Sequence, residues 1–428
     1  MQLTSEIIHT YTEILREELL PAMGCTEPIA IAYAATIMRD ALGCDPSVIR
    51  LWLSGNIIKN VKSVIVPATG GLHGIAAAVA AGVIAACPEK KLEVLSQLND
   101  SDRERIKAYM GQVELEICEL DTPNPFEVKI TGSSKGNSAH VHLLHRHTNV
   151  HLVERDGADM TARYRENETD ESRVYTNREL LNVKDIVAFA DTVPLDELSP
   201  LLYRQIEMNM AIAEEGLAGD WGAAIGKLLY QGGACSLRNR ARAYAAAGSD
   251  ARMSGCELPV CILSGSGNQG ITASVPVVIY ARARGVDEET MLRALIVSNL
   301  ITVHQKTGIG CLSAYCGAIS AGCGCGTGIC YLGGGRYYEI AHTLVNAVAI
   351  LSGTICDGAK PSCAAKIAMA VEAGIMGYEM MLSGHQFYGG DGIVTKGVEN
   401  TIRNVGRLAR DGMSGTDREI IRIMLGEA

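Results

Sequence analysis

Residues 126–132 read FEVKITG and residues 140–157 read HVHLLHRHTNVHLVERDG, two stretches in which apolar and polar side chains alternate. Such alternation places the apolar residues on one face of a β-strand and the polar residues on the other. Similar patterns occur at residues 48–55 (VIRLWLSG), 63–68 (SVIVPA), 91–95 (KLEVL) and 113–117 (VELEI). An Ala-rich helix is expected at 74–86. Runs of strands with few helices predict a small module of α+β type.

The second half of the chain has a different pattern. From about Leu195 onward the apolar residues recur with helical spacing, and glycine-rich loops separate the helices. The sequence therefore predicts an α+β fold, with a small mixed α/β module and a larger all-helical domain. We expect N-terminal helices in residues 1–45 that pack on the helical domain, the α/β module in 46–190, and the helical domain in 191–428. Residues 156–182 are polar and predict an exposed connection.

Composition and charge exclude several classes of protein. The net charge is −10 and no run of five Lys or Arg residues occurs, which argues against a nucleic-acid surface. Residues 1–20 lack the features of a secretory signal and predict an amphipathic helix. The longest apolar stretch, residues 74–87, is too short to span a bilayer. We therefore expect a cytoplasmic protein with no membrane partner.

Glycine-rich loops are the first candidates for a binding site. Gly265, Gly267 and Gly270 fit the pattern G-x-G-x-x-G after an apolar run, which is weak evidence for a dinucleotide site. A more favoured interpretation is an anion site in which the loop amides, Asn268 and a helix N-terminus bind a carboxylate. A tight turn alone explains the pattern about as well. The loop at 67–74 (PATGGLHG) allows the same alternatives.

Histidines and cysteines both raise the possibility of a metal site. Five histidines lie within residues 140–151, but a solvated hairpin face explains them better than a metal site does. Fourteen cysteines in a reducing compartment are not expected to form disulfides. Half of them lie between residues 311 and 363, which suits either a soft-metal site or a cysteine-rich packed core. Cys25 stands where a helix is expected to begin, a position that favours the thiolate form.

Several motifs together resemble one family. MGCTEPIAIAYAA, SGNIIKN, TGGLHG, SGSGNQGI, GCLSAYCG and GTICDGAKPSC are similar to the L-cysteine desulfidase family, which is itself similar to the α-chain of iron–sulfur L-serine dehydratases. The resemblance covers the chain from about Glu13 to its end. It implies a lyase that needs no pyridoxal phosphate and that uses a [4Fe–4S] cluster. The implied reaction converts L-cysteine and water to pyruvate, ammonia and hydrogen sulfide.

The resemblance also implies roles for individual residues. Cys316, Cys356 and Cys363 match the spacing of the family's three cluster ligands, and Cys25 matches its separate reactive cysteine. The cysteines at 323, 325 and 330 are not needed by this pattern. The residues implied to bind the substrate are Thr26, Glu27, Asn56, Gly70, Gly71, Asn268 and Gln269.

Other functions remain open at the level of sequence. An L-serine dehydratase would use the same cluster on a different leaving group, and a non-catalytic iron–sulfur redox sensor would need no substrate site. A pyridoxal phosphate lyase is disfavoured, because no lysine lies in an identifiable Schiff-base motif. The expected partner is a small amino-acid substrate, and a homo-oligomer is possible.

Overall fold

The fold joins a small mixed β-sheet to a larger assembly of helices, as the sequence predicted. The structure is a computed structural model and describes residues 3–165, 176–232, 236–310 and 312–426. The polar connection predicted at 156–182 lies partly outside the described residues. No helix within those ranges has both the length and the apolar character that crossing a bilayer requires.

Six strands form the main sheet, in the order β3-β2-β4-β5-β6-β7, and the remaining two pair with each other. The β2–β3 pair is parallel and the other pairs are antiparallel. The strands are β1 (Pro21–Met23), β2 (Val48–Ser54), β3 (Glu114–Leu120), β4 (Glu127–Ser134), β5 (Asn137–Leu144), β6 (Val150–Arg155), β7 (Ala158–Asp159) and β8 (Pro259–Cys261).

The alternating pattern of the quoted stretches decides how the sheet is buried. Val128 and Ile130 of β4, with Val141 and Leu143 of β5, are completely buried on the face that packs against a long N-terminal helix. Burial of each such side chain contributes about 1.5–3 kcal/mol. The polar residues between them face away, as the prediction required. The strands and their alternation are therefore confirmed.

Two of the predicted strands are wrong. Residues 63–68 form only an isolated bridge between Ile65 and His73, and Pro67, which has no amide hydrogen, ends any ladder there. Residues 91–93 belong to a 3₁₀ helix, Pro88–Glu93, which has a proline at its start, and residues 94 and 95 form a turn after it. In both segments the apolar residues are buried beneath neighbouring elements, so the alternation reflects burial without strand pairing.

Helices account for most of the chain. The α-helices are α1 (Ser5–Glu18), α2 (Thr26–Leu42), α3 (Gly55–Val61), α4 (Gly74–Ala85), α5 (Asp100–Met110), α6 (Thr161–Tyr164), α7 (Val183–Thr192), α8 (Ser199–Ala218), α9 (Ile225–Gln231), α10 (Leu237–Met253), α11 (Gly267–Arg284), α12 (Glu288–Ile309), α13 (Gly317–Leu332), α14 (Tyr337–Leu351), α15 (Cys363–Leu382), α16 (Val398–Arg407) and α17 (Ser414–Leu425). Short 3₁₀ and π segments lie at Pro88–Glu93, Arg178–Leu180 and Leu408–Gly412.

Helix α13 is the centre of the helical part and packs against α11, α12, α14 and α15. Its glycines allow a very close approach to α15, because a Cβ on Gly322 would lie 2.3 Å from the carbonyl oxygen of Ala370 and one on Gly326 would lie 2.4 Å from that of Gly374. In both contacts the two residues are separated by the same number of positions along the chain. Moving forward along α13 therefore means moving forward along α15, so the two helices run side by side in the same direction. Their N-terminal ends therefore lie next to each other.

The N-terminal segment touches both parts of the fold. Helix α1 packs on α7 and α12, whereas α2 lies between α4 and the sheet. One continuous hydrophobic core extends from the sheet into the helices. The division of the chain at residues 45 and 190 stays a prediction.

Candidate active site

A cavity of about 110 Å³ lies where the CTEP segment, the 264–269 loop and the cysteine-rich segments meet. Its volume is well below the roughly 300–1,000 Å³ of pockets for drug-sized ligands. A small molecule therefore suits it better than a dinucleotide. Its polar and thiol-bearing lining residues include Cys25, Glu27, Asn60, His147, Arg252, Ser264, Ser266, Asn268, Gln269, Lys306, Ser313, Cys316, Cys356, Cys363 and Lys366.

The three cysteines matched to the family's cluster ligands all line this cavity. Cys316 caps the start of α13, and its amide donates to the carbonyl of Thr354 over 2.9 Å. Cys356 donates its amide to the carbonyl of Ala314, so two loop segments hold these cysteines side by side. Cys363 is the first residue of α15. The side-by-side packing of α13 and α15 thus sets the position of Cys316 relative to Cys363.

The irregular loop before Cys363 has a specific structural requirement. Gly358 has φ +92°, and a Cβ there would lie 2.4 Å from the carbonyl oxygen of Lys59. Lys366 donates to the carbonyl of Ile355 over 2.9 Å and pairs with Asp357. Burial raises the pKa of Asp357, but its pairs with lysines outweigh this and lower the pKa to about 2. These contacts hold the loop so that two cysteines on it face one cavity.

Thiolates are the ligand type that an iron–sulfur cluster requires. Among the described residues, no three His, Cys, Asp or Glu groups are gathered closely enough to hold one ion. A [4Fe–4S] cluster is held by thiolates that surround the whole group. Burial, and then the neighbouring Cys356, raise the pKa of Cys316 to about 12, so cluster binding there would release protons. Three thiols that line one cavity fit such a group.

Four helices begin at the cavity. Cys25 is the N-cap of α2, Ser266 of α11 and Cys316 of α13, while α15 starts at Cys363. None of the four helices has a side-chain hydrogen bond that caps its start. Unpaired amide hydrogens and the helix dipoles make each start favourable for negative charge. The cavity is therefore suited to thiolates and to an anionic ligand.

Cys25 and Glu27 form a hydrogen-bonded group on one wall. The Cys25 thiol donates to Oε2 of Glu27 over 3.2 Å, and Asn60 Nδ2 donates to its Oε1 over 3.1 Å. His147 Nε2 lies 3.9 Å from the same Oε1. Burial raises the pKa of Glu27, but His147 and the Cys25 hydrogen bond outweigh it and lower the pKa to about 2. Glu27 is thus a carboxylate that fixes the direction of the thiol.

The prediction that the helix start favours the thiolate form of Cys25, and so lowers its pKa, is wrong in direction. The helix begins at Thr26, as expected, but burial and the charge of Glu27 raise the pKa of Cys25 well above its ordinary value. The nearby charge of Arg252 lowers the pKa of Cys25, although by less than burial raises it. In a dry site with an adjacent carboxylate, the helix start does not outweigh desolvation. Cys25 is consequently a protonated thiol in the free protein.

Buried polar atoms without partners concentrate here. Within the part of the chain that the structure describes, fourteen such side-chain atoms occur, and six belong to residues that line this cavity. They are Asn60 Oδ1, His147 Nε2, Arg252 Nε, Ser264 Oγ, Asn268 Oδ1 and Gln269 Oε1. Native proteins leave few buried polar groups unpaired, so the concentration indicates a site for a polar ligand.

Some residues implied to bind substrate lie elsewhere. Gly70 and Gly71 are exposed in a turn with φ +72° and +91°, and they are absent from the cavity lining, as is Asn56 of α3. The 67–74 loop instead supports the CTEP segment, because Pro67 packs directly against Gly24. Thr26 donates to Gly265 O over 2.9 Å and so links the CTEP segment to the glycine loop.

The remaining cysteines of α13 and the histidine run also have clear locations. Cys323, Cys325 and Cys330 are buried within α13 and do not line the cavity, so they act as packing residues. The histidine strand ends at Leu144, and the turn that follows carries His147 away from the hairpin and into the cavity wall. His142 of β5 and His151 of β6 contact each other edge to face, with their ring centroids 4.9 Å apart.

The wall residues that sequence reasoning missed include Asn60, His147 and Arg252. Asn60 lies one helical turn after Asn56, so the spacing of the SGNIIKN motif contained a usable signal. Arg252 ends a buried Ala-rich helix, an unusual position for a charged residue. Nothing separated His147 from its four neighbouring histidines.

Comparisons with known proteins identify the family of the chain. The family model for the serine dehydratase alpha chain matches residues 89–422. The chain belongs to that family. A UPF0597 protein of Desulfitobacterium hafniense strain Y51 is 52% identical over 428 residues, which cover all of this chain and 99% of the relative. A UPF0597 protein of Treponema denticola is 45% identical over 420 residues, or 97% of each chain. A relative from Fusobacterium nucleatum is 40% identical over 422 residues, with 97% of this chain and 99% of the relative covered.

Membership of the serine dehydratase alpha chain family indicates a lyase. The relatives cover the N-terminal segment with Cys25 and Glu27, which lies before the part that the family model matches.

Proposed function

We propose that this protein is an L-cysteine desulfidase, a lyase that needs no pyridoxal phosphate and converts L-cysteine and water to pyruvate, ammonia and hydrogen sulfide. One observation carries the proposal. The three thiols matched to cluster ligands, the Cys25–Glu27 pair and the glycine loop before α11 all line one small cavity. The proposed site for a [4Fe–4S] cluster consists of Cys316, Cys356 and Cys363. A redox sensor would have no need of the other two groups.

The cavity's own residues supply binding and proton transfer. A cluster held by Cys316, Cys356 and Cys363 would supply Lewis acidity toward the substrate's leaving group. The free amides at the start of α11 bind the substrate carboxylate and orient the Cα–H bond. Asn60 uses its Nδ2 on Glu27, so its unpaired Oδ1 is an acceptor available to the substrate ammonium group.

Cys25 is the proposed group for proton transfer at Sγ. Elimination requires removal of the proton on Cα and departure of the group on Cβ. A thiol with a raised pKa is seldom ionised, but its thiolate is a correspondingly stronger base. Glu27 accepts the S–H hydrogen bond, takes up the thiol proton when Sγ ionises, and keeps Sγ in place to accept the proton from Cα. The product aminoacrylate then hydrolyses to pyruvate and ammonia without further help from the protein.

The decisive experiment uses protein purified without oxygen, with iron and acid-labile sulfide counted. We expect a brown absorbance, about four irons and four sulfides per chain, and sulfide release from L-cysteine that exceeds pyruvate release from L-serine. Faster turnover of L-serine would make the protein an L-serine dehydratase. An intact cluster without turnover of either amino acid would favour the sensor function. An internal-aldimine absorbance would contradict the proposal.

Cysteine variants test the assigned roles separately. Cys356→Ala should lose both the absorbance and sulfide release, whereas Cys25→Ser should keep the absorbance and lose turnover. Cys44→Ala is the matched control, because Cys44 is exposed and far from the cavity lining. Full activity in Cys356→Ala would refute the ligand set.

A further inference from the structure

Arg252 is a buried charge whose role the contacts within the protein do not explain. It lies at the end of α10 with only 2% of its surface exposed, and it lines the cavity. Its Nε is sealed from solvent without a hydrogen-bond acceptor, and no ion pair joins it to any carboxylate within the described ranges. Burial of an unpaired guanidinium is costly unless a ligand supplies the missing negative charge.

The first residue of α11 is shaped around this guanidinium. A Cβ on Gly267 would lie 2.3 Å from Arg252 Nε and 2.8 Å from its Cζ. The guanidinium therefore lies directly against the helix start, and glycine is the residue that leaves it room. The first backbone N–H of α11 to donate a helical hydrogen bond is that of Gly270, whose acceptor is Ser266 O at 3.1 Å. The amides of 267–269 remain free beside a fixed positive charge.

We propose that Arg252 and the free amides at the start of α11 together form the carboxylate subsite of this protein. The inference deepens the proposed function and rests on it for the identity of the substrate as an α-amino acid. A guanidinium presents several N–H donors in a planar fork that suits a carboxylate, and a helix N-terminus adds further donors. No acidic residue lies in the first turn of α11 to compete for these donors.

The subsite explains selection between substrates. A ligand with an α-carboxylate satisfies both Arg252 and the helix start, whereas an amide or ester of the same amino acid leaves the buried charge unpaired. Unpaired buried polar groups reject such analogues strongly. Arg252 is therefore a residue that determines specificity for free amino acids over peptides.

The test measures binding of a compound that cannot react. L-alanine has the carboxylate and ammonium groups but no leaving group, and L-alaninamide lacks the carboxylate. Calorimetry on the anaerobically purified full chain should show that L-alanine binds and that L-alaninamide binds much more weakly. Arg252→Gln should weaken L-alanine binding by about ten- to hundredfold and abolish the preference over the amide. Arg252→Lys should restore part of that preference.

Two further variants separate the subsite from a structural role. Arg240→Gln is the control, because Arg240 is on the same helix and its Nε is also buried without a partner, but it does not line the cavity. It should leave the preference unchanged. Gly267→Ala keeps Arg252 but displaces its guanidinium, and it should reproduce the loss if Arg252→Gln fails to fold.

The possible failures are distinguishable. Turnover of L-cysteine by Arg252→Gln with an unchanged KM and an unchanged preference for L-alanine would overturn the subsite and leave the proposed function standing. Loss of carboxylate binding in Arg252→Gln would support the subsite. This conclusion would hold even if the wild-type protein with its cluster turned over neither L-cysteine nor L-serine. Absence of any carboxylate binding to wild-type protein would overturn the inference.

Discussion

The contact between α13 and α15 offers a sharp test of how the fold positions the thiols. Gly326→Ala adds one methyl group at a point where the two helices touch through backbone atoms. The new Cβ would lie 2.4 Å from Gly374 O and 2.7 Å from Gly374 C and Cα. Because all three are backbone atoms, no side-chain rotation can relieve the overlap, and the helices must separate.

The size of the effect follows from these distances. An ordinary contact needs at least 3.4 Å, so the helices must open by about 1 Å. Overpacking of this kind costs about 1–3 kcal/mol, and the better helix propensity of alanine recovers about 1 kcal/mol. We expect a net loss of up to about 2 kcal/mol in the free energy of unfolding. Since Cys316 and Cys363 begin the two helices, the same shift moves one thiol relative to the other.

Two measurements check this prediction. Urea denaturation gives the stability, and iron and acid-labile sulfide per chain after anaerobic reconstitution give the integrity of the site. We expect both to fall in Gly326→Ala. Gly415→Ala is the control, because a Cβ on Gly415 of α17 meets no atom within 4 Å. Wild-type stability together with wild-type iron content in Gly326→Ala would refute the idea that this contact sets the thiol geometry.

The remaining predictions concern charge and metal. Burial raises the pKa of Glu127, but Lys129 and two polar neighbours outweigh it and lower the pKa from 4.5 to about 2. The contribution of Glu127 to the free energy of unfolding, up to about 3 kcal/mol, is therefore present above pH 4.5 and lost as the pH falls toward 2. In Glu127→Gln, the free energy of unfolding measured with urea should depend less on pH across that range. Asp417→Ala leaves the buried Lys59 unpaired and should cost about 3–5 kcal/mol by urea denaturation, whereas the same change at exposed Glu419 should cost less than about 1 kcal/mol. Anaerobic removal of iron by a chelator should abolish sulfide release, and iron with sulfide should restore it; activity that survives complete iron removal would contradict the proposed function.

Local patterns predicted the parts of the fold in which burial and secondary structure have the same period. The strand around Ile130 and the helix that begins at Thr26 are of this kind. The segment around Val66 failed because its apolar residues are buried under other elements while its backbone pairs only through one bridge. Alternation alone does not distinguish these cases.

The candidate site was predictable only in part, for a physical reason. Cys316 and Cys363 were assigned by resemblance, and their placement at one cavity depends on helix packing that no local pattern encodes. The direction of the pKa shift at Cys25 depends on burial and on Glu27, neither of which a helix start reveals. The role of Arg252 follows only from the structure, in which its Nε has no hydrogen-bond partner and its guanidinium lies against Gly267.

The cavity wall draws on segments that run from Cys25 to Ile367. During translation, the first of these leaves the ribosome long before the last has been synthesised. No shorter nascent chain contains the complete wall, so a group that contacts all of it can be bound only after Ile367 has been synthesised, and the timing of maturation is a property of the architecture.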